Sequence, residues 1–196
     1  MIVRYPNVIL MNPTYRVDPS RDGQLKDLVN DMFRQCEESQ GVGLAGNQFG
    51  TICSVFVMSF KDKEQMFNGA FLNPEIVSHS TETIVAPERC LSLPGIAVNK
   101  ERWKSLKARW QDLEGNWHEE DMDGLKAIIF QHEYDHLQGC TIVSSLPTMK
   151  RKMLVDKMKK NNIKSARMRA KEMGIPISKD AQEKVDIYTG KRMSDE

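Results

Sequence analysis

The 196-residue sequence has no long apolar run, no surplus of charge of either sign and no cysteine framework, and each absence removes a class of protein. No stretch supplies the roughly 20 consecutive apolar residues that a membrane-spanning helix needs. The first ten residues lack the basic, apolar and small-residue order of a secretory signal. A cytoplasmic protein without a membrane partner is therefore expected, and an organelle stays open because a cleaved transit peptide leaves no trace. Lysine and arginine number 28 against 27 acidic residues, a net charge of +1, so overall charge points to neither nucleic acid nor a membrane surface. The four cysteines, Cys36, Cys53, Cys90 and Cys140, do not have the spacing of a small disulfide scaffold, and a chain of this length buries a core without staples. They are expected to be reduced, with Cys36 and Cys53 acting as small buried hydrophobes. There is no internal repeat and no low-complexity tract.

Hydrophobic spacing divides the chain. Residues 1–19 read as an extended arm with turns. Over 24–40 the set Leu25, Leu28, Val29, Met32, Phe33 and Cys36 recurs at intervals of three and four, which predicts a helix with one buried stripe, ended by Gly41. The small-residue segment 41–48 predicts a loop, not a packed element, where backbone approaches something closely. Residues 52–58, 70–77, 81–86 and 104–112 read as strands, with a hairpin turn at 112–115 leading into 116–120, and 88–95 as a turn-rich loop. After Pro147, Lys150, Arg151, Lys152, Lys157, Lys159, Lys160 and Lys164 accumulate on a helical pattern of Met153, Leu154, Met158, Ile163 and Met168. This basic helix, or pair of helices, is either a solvated face or a surface for an anion such as RNA. The expected organisation is a catalytic domain over 1–147, a basic helical segment over 148–173 and a polar, poorly ordered tail over 174–196.

The chemistry concentrates in Gln131-His132-Glu133-Tyr134-Asp135-His136-Leu137. On a helix, histidines four apart share a face with the glutamate beside them, the H-E-x-x-H arrangement of a hydrolytic metal site. Leu125, Ile128 and Ile129 continue that face, Asp121 or Asp123 is placed to cap the helix, and Gly139 to end it. The alternative is a pair of ordinary core or surface histidines. A catalytic site needs a third protein ligand and an open position for water. Cys90 with His132 and His136 supplies it, Glu133 is the candidate proton acceptor and donor, and Gln48 with the backbone N–H of Leu91 are candidate donors to a developing oxyanion.

Three segments, GVGLAGNQ from Gly41, ERCLS from Glu88 and QHEYDHL from Gln131, together resemble the peptide deformylase family, marked by Gly-x-Gly-Leu-Ala-Ala-x-Gln, Glu-Gly-Cys-Leu-Ser and Gln-His-Glu-x-Asp-His-Leu in that order. The resemblance covers roughly residues 1–160. It implies an α+β fold of antiparallel strands packed around a central metal-binding helix, and removal of formyl from formyl-methionyl peptides. It further implies Cys90, His132 and His136 as ligands of one divalent metal, ferrous iron in the cell with zinc, nickel or cobalt as possible occupants. Glu133 becomes the acid/base, and Gln48 with Leu91 the oxyanion hole. Val42, Gly43, Leu125, Ile128 and Ile129 would line the methionine pocket and pair with the peptide, with Glu88 and Arg89 in the same substrate-facing set. Glu88, Arg102 and Asp135 also look like outer groups that orient the ligands. Two departures stand out. Arg89 replaces a glycine beside the ligand cysteine, where it either crowds the groove or contacts the peptide, and Gly46 replaces an alanine, which is expected to loosen the loop carrying Gln48.

Two other readings compete. An H-E-x-x-H peptidase takes its third ligand downstream from a histidine or carboxylate, which fits this chain less well. A weakly active or non-catalytic metal protein would instead dock on the ribosome through the basic helix. A monomer is expected in either case.

Overall fold

One strand, buried on both faces, decides the layout. The computed structural model describes residues 1–20 and 23–172; the tail expected over 174–196 and the last residue of the basic segment lie outside the described residues. After an arm containing a 3-10 turn at Val8–Met11 come α1 (Leu25–Glu38), β1 (Gly43–Ala45), α2 (Gly46–Phe49), β2 (Val55–Asp62), β3 (Gln65–His79), β4 (Thr83–Arg89), β5 (Ala97–Trp103), β6 (Ser105–Gln111), β7 (Trp117–Asp123), α3 (Gly124–Leu137) and α4 (Thr148–Glu172). The strands form a five-stranded antiparallel sheet in the order β1-β2-β3-β6-β7 and a separate β4-β5 hairpin.

Side chains of β2 alternate between two cores. Val55 and Val57 join Leu25, Val29, Met32 and Cys36 of α1, whereas Phe56, Met58 and Phe60 join Ala127, Ile129, Phe130 and Leu137 of α3. Strands covered on both faces lose the apolar/polar alternation, which is why residues 55–58 form a continuous apolar run. Each large side chain buried this way contributes about 1.5–3 kcal/mol. A third cluster seats α4 through Met158, Leu154 and Val155 against Tyr5, Leu10, Cys90 and Leu93. Among the described residues no helix is long and apolar enough to cross a membrane.

Several local expectations need correction. Segment 41–48 is packed: it holds β1 and α2, and residues 43–48 are buried. Gln40, with φ of 54°, takes the left-handed position after α1. Gly41 serves a different end, since a Cβ there would lie 2.7 Å from Leu91 Cδ1. The strand expected at 81–86 runs on to Arg89, so Glu88 and Arg89 belong to β4 and not to a loop. β5 was not anticipated at all. Asp123 takes the N-cap position of α3 without a side-chain capping bond, and Gly139, with φ of 73°, lies just beyond its end.

Candidate active site

Three elements converge along one face of the hairpin. β4 delivers Glu88 and, one residue past its end, Cys90; β5 delivers Lys100 and Arg102; α3 delivers His132, Glu133, Asp135 and His136. The position of α3 against β5 is fixed by Gln131, whose side-chain amide accepts from the Trp103 N–H and donates to the Trp103 carbonyl, both at 3.0 Å.

The donor atoms of Cys90, His132 and His136 all lie within 4.8 Å of one another. Cys90 Sγ is 3.2 Å from His136 Nε2. Donors bound to one tetrahedral ion at about 2.0–2.3 Å stand roughly 3.5 Å apart, so the cluster fits a single metal with one thiolate and two imidazoles. His132 turns its other ring nitrogen, Nδ1, to Glu88 Oε2 at 2.8 Å, the carboxylate–histidine arrangement that orients a ligating imidazole. Glu88 in turn forms a bidentate pair with Arg102, from Nε to Oε1 at 2.6 Å and from Nη2 to Oε2 at 2.9 Å. Asp135 Oδ2 then accepts from both Arg102 Nη1 and Lys100 Nζ at 2.8 Å. Buried charges persist when paired in this way, and here negative and positive groups alternate from His132 outward.

Electrostatics separate the two histidines of the metal-free protein. Burial opposes charge on His132, but hydrogen bonds to Cys90 and Glu88 prevail and hold it up at about 10; burial and the neighbouring His132 charge push His136 well below its ordinary value. Burial raises the Glu133 carboxyl to about 7, with His132 pulling the other way. Its Oε2 is buried and has no hydrogen-bond partner among the described residues. Gly43 lies against this carboxylate so tightly that a Cβ would be 2.5 Å from Glu133 Oε1.

Gln48 reaches the cluster from the other sheet. Its Oε1 accepts from the Ala45 N–H at 2.9 Å, which directs Nε2 to Cys90 Sγ and Ser92 Oγ, each at 3.3 Å. Gly46 does not loosen this segment: a Cβ there would stand 2.5 Å from the Cys53 carbonyl, so close packing requires the glycine. Asn47 Nδ2 donates to the His136 carbonyl and ties α2 to the histidine helix.

The remaining expected residues are dispersed. Val42 and Leu125 are about half exposed, Ile128 is half-buried, and Ile129 is packed within the α3 core cluster. Both Glu88 oxygens are committed to Arg102 and His132, so its side chain faces the ligands and not a peptide. Arg89 is exposed opposite Ala97 and has no ion-pair partner among the described residues. Sequence reasoning missed Lys100, Ser92 and the bracketing role of Gln131. Only the spacing of Lys100 and Arg102, two apart and hence on one face of a strand, carried a signal.

A family model described as polypeptide deformylase matches residues 1–152. The chain is 41% identical over 161 residues to the peptide deformylase of Aquifex aeolicus (strain VF5), a match that covers 81% of this chain and 94% of that protein. Among solved structures it is similar to the peptide deformylase of Ehrlichia chaffeensis, with a TM-score of 0.78 and 30% identity over 84% of this chain and 97% of that one. A peptide deformylase from Legionella pneumophila gives a TM-score of 0.76 and 33% identity over 85% and 97% of the two chains.

Proposed function

The chain belongs to the peptide deformylase family, metal-dependent hydrolases that remove formyl from the N-terminal methionine of nascent polypeptides, and from that premise we propose how its own residues carry the reaction. Cys90, His132 and His136 would hold the metal, with Glu88 fixing His132, Arg102 fixing Glu88, and Asp135, itself bonded by Lys100, fixing Arg102. A divalent ion bound there would supply Lewis acidity and a lowered water pKa near neutral pH. Ferrous iron is the proposed cellular occupant, with zinc, nickel or cobalt able to replace it, since first-row divalent ions share a liking for such donors. Metal analysis of anaerobically purified protein tests that assignment.

Glu133 Oε2 accepts the proton of the attacking water and returns it to the departing amine, leaving formate and a free N-terminus. The single observation that carries this role is the buried Oε2, without a partner among the described residues, on the helix of the two ligand histidines. As negative charge grows on the formyl oxygen, Gln48 Nε2 and the Leu91 N–H donate to it. Among the described residues β1 pairs with β2 alone, so its other edge at Gly43, with Val42 just ahead of it, is the proposed place for an extended peptide to add as a strand. Val42, Leu125 and Ile128, which keep exposed surface, are the proposed apolar lining for methionine, whereas Ile129 is packed within the α3 core; Arg89 is the proposed contact for the peptide beyond methionine.

Formate release from formyl-Met-Ala-Ser, measured beside a Glu133→Ala variant, tests the mechanism. The variant is expected to keep its metal and lose activity; equal turnover by both proteins would overturn the role of Glu133.

Residues 1–147 are proposed as the catalytic unit of a monomer and 148–173 as a basic extension. Lys157 and Lys160 are exposed on α4, which supports docking on ribosomal RNA, where formylated chains emerge in the cytoplasm or an organelle. Reversing Lys157, Lys159 and Lys160 to glutamate is expected to abolish ribosome co-sedimentation, and undiminished binding at matched salt would count against docking.

A further inference from the structure

Three consecutive residues near the start of the chain each donate a hydrogen bond to one of the two segments flanking the ligand cluster. The Val3 N–H donates to the Gln48 carbonyl at 2.8 Å, and the Tyr5 N–H to the Ser92 carbonyl at 3.0 Å. Between them the Arg4 guanidinium, through Nη1, donates to the Leu91 carbonyl. The receiving segments have separate scaffolds, because α2 follows β1 of the five-stranded sheet whereas residues 90–92 follow β4 of the hairpin, and among the described residues no ladder joins the two sheets. The arm that connects them is fixed at both ends. Ile2 is buried in the cluster of α1, and Tyr5 in the cluster that contains Cys90, Leu93 and Met158.

We infer that residues 3–5 brace the oxyanion hole, with Arg4 as a positioning residue that fixes the Leu91 peptide relative to Gln48. The inference rests on the assignment of Gln48 Nε2 and the Leu91 N–H as the oxyanion donors. Those donors follow strands of different sheets, Gln48 in α2 after β1 and Leu91 after β4, and their separation must match one oxygen atom, so something has to hold the two segments in register there. The direct link between the segments is the Gln48 side chain itself, at 3.3 Å from Cys90 Sγ and from Ser92 Oγ. That amide is the group that would turn to substrate, so it cannot also be the fixed strut. The brace acts instead from behind, on the carbonyls of Gln48, Leu91 and Ser92, and occupies neither the Leu91 N–H nor the Gln48 amide. Arg4 contributes the one bond of the three that mutation of a side chain removes.

Metal-loaded full-length Arg4→Met is expected to lose about tenfold in kcat on formyl-Met-Ala-Ser, because displacement of a single oxyanion donor by a fraction of an ångström forfeits part of its effect. KM should stay within about twofold, since the apolar pocket and the edge of β1 are untouched. Arg4→Lys, which keeps a cationic donor, should recover most of the loss. Gln48→Ala alone should lose about a hundredfold, and adding Arg4→Met to it should change kcat less than twofold, because the brace acts through the pair of donors. Hydrogen exchange, read without turnover, should be faster over residues 90–93 in Arg4→Met and unchanged over α1. If Arg4→Met does not accumulate as folded protein, Arg4→Gln carries the same test: lower kcat at constant KM supports the brace, and wild-type kcat overturns it. Arg4→Met with wild-type kcat, or with its full tenfold loss repeated in the Gln48→Ala background, removes the brace alone. Wild-type kcat in Gln48→Ala would instead remove the oxyanion assignment beneath it.

Discussion

Replacing Arg102 with leucine is expected to destabilise the folded protein by about 3 kcal/mol at pH 7 and to loosen its hold on metal. Arg102 is 5% exposed and makes three charge-assisted bonds, two to Glu88 and one to Asp135. Burial pushes the Glu88 carboxyl up, but hydrogen bonds from Arg102 and His132 outweigh it and hold the group at about 2, against an ordinary 4.5. That downward displacement corresponds to about 3 kcal/mol, and it agrees with the roughly 3–5 kcal/mol that removing one partner of a buried pair costs. A depressed carboxylate stabilises fully above its unfolded value of 4.5 and loses that contribution as pH falls through about 2. In Arg102→Leu burial is opposed by His132 alone, so the Glu88 value rises. The deficit relative to wild type should then be largest at neutral pH and should narrow below pH 4.5. Urea unfolding of the metal-free proteins at pH 7, 5 and 4 measures it. Adding Glu88→Gln to Arg102→Leu should restore part of the loss at pH 7, because a neutral amide tolerates the buried site better than an unpaired carboxylate. With metal present, His132 loses its fixed orientation, and chelator competition should show affinity weaker by about 10- to 100-fold. A single variant within about 0.5 kcal/mol of wild type at pH 7, the range of neutral surface changes, would refute the pairing argument.

Gly43→Ala puts a methyl 2.5 Å from Glu133 Oε1, so it should reduce kcat by about a hundredfold while the protein keeps its metal, with about 1–3 kcal/mol lost from stability; turnover unchanged from wild type would show that the carboxylate yields at no expense. Burial, helped by the negative charge of Glu133, pushes the Cys36 thiol up to about 12, whereas Cys140 is exposed. Iodoacetamide at pH 8 should therefore label Cys140 in the native protein and reach Cys36 only in urea, as peptide mass spectrometry would show, and equal native labelling would contradict the burial. Arg89→Gly should leave kcat on formyl-Met-Ala-Ser unchanged and raise KM by no more than about fivefold for peptides with acidic residues after methionine, the limit for an exposed ion pair. Identical KM values for acidic and neutral peptides in both proteins would make Arg89 a bystander.

The elements that sequence periodicity located are those whose burial is uniform along their length. The recurrence of Leu25, Val29, Met32 and Cys36 marks α1, and the run at 55–58 marks the doubly covered β2. β5 failed for the opposite reason. Its inward face carries Val98, Lys100 and Arg102, of which the last two are held by Glu88 and Asp135, so the strand looks polar although that face is turned inward. A rule that sends charge outward misreads any strand whose interior partner is an ion network. Glycine is half-informative in a related way: Gly41, Gly43 and Gly46 correctly signal close approach of the backbone, since each lies where another atom occupies the space of a Cβ, but they do not signal that residues 43–48 are packed in β1 and α2.

The site divides along the same line. His132, Glu133 and His136 were legible because helical pitch alone places them together. Cys90 and Gln48 needed the joint pattern of three segments, since nothing local relates residue 48 to residue 90. Of the groups that hold these residues in place, Glu88, Arg102 and Asp135 were legible through the same resemblance, but others were not, because their bonds run from side chain to a distant backbone atom: Gln131 to both polar atoms of Trp103, Asn47 to the His136 carbonyl, and Arg4 to the Leu91 carbonyl, 87 positions away. Such a bond demands a donor of adequate reach at one position and only a carbonyl at the other, and every residue offers a carbonyl. The receiving residue therefore leaves no trace in its own identity. Residues that do chemistry are constrained by element type and spacing, whereas residues that position them are constrained by a fold that exists only once the strands have paired, and Arg4 stands at the far end of that dependence.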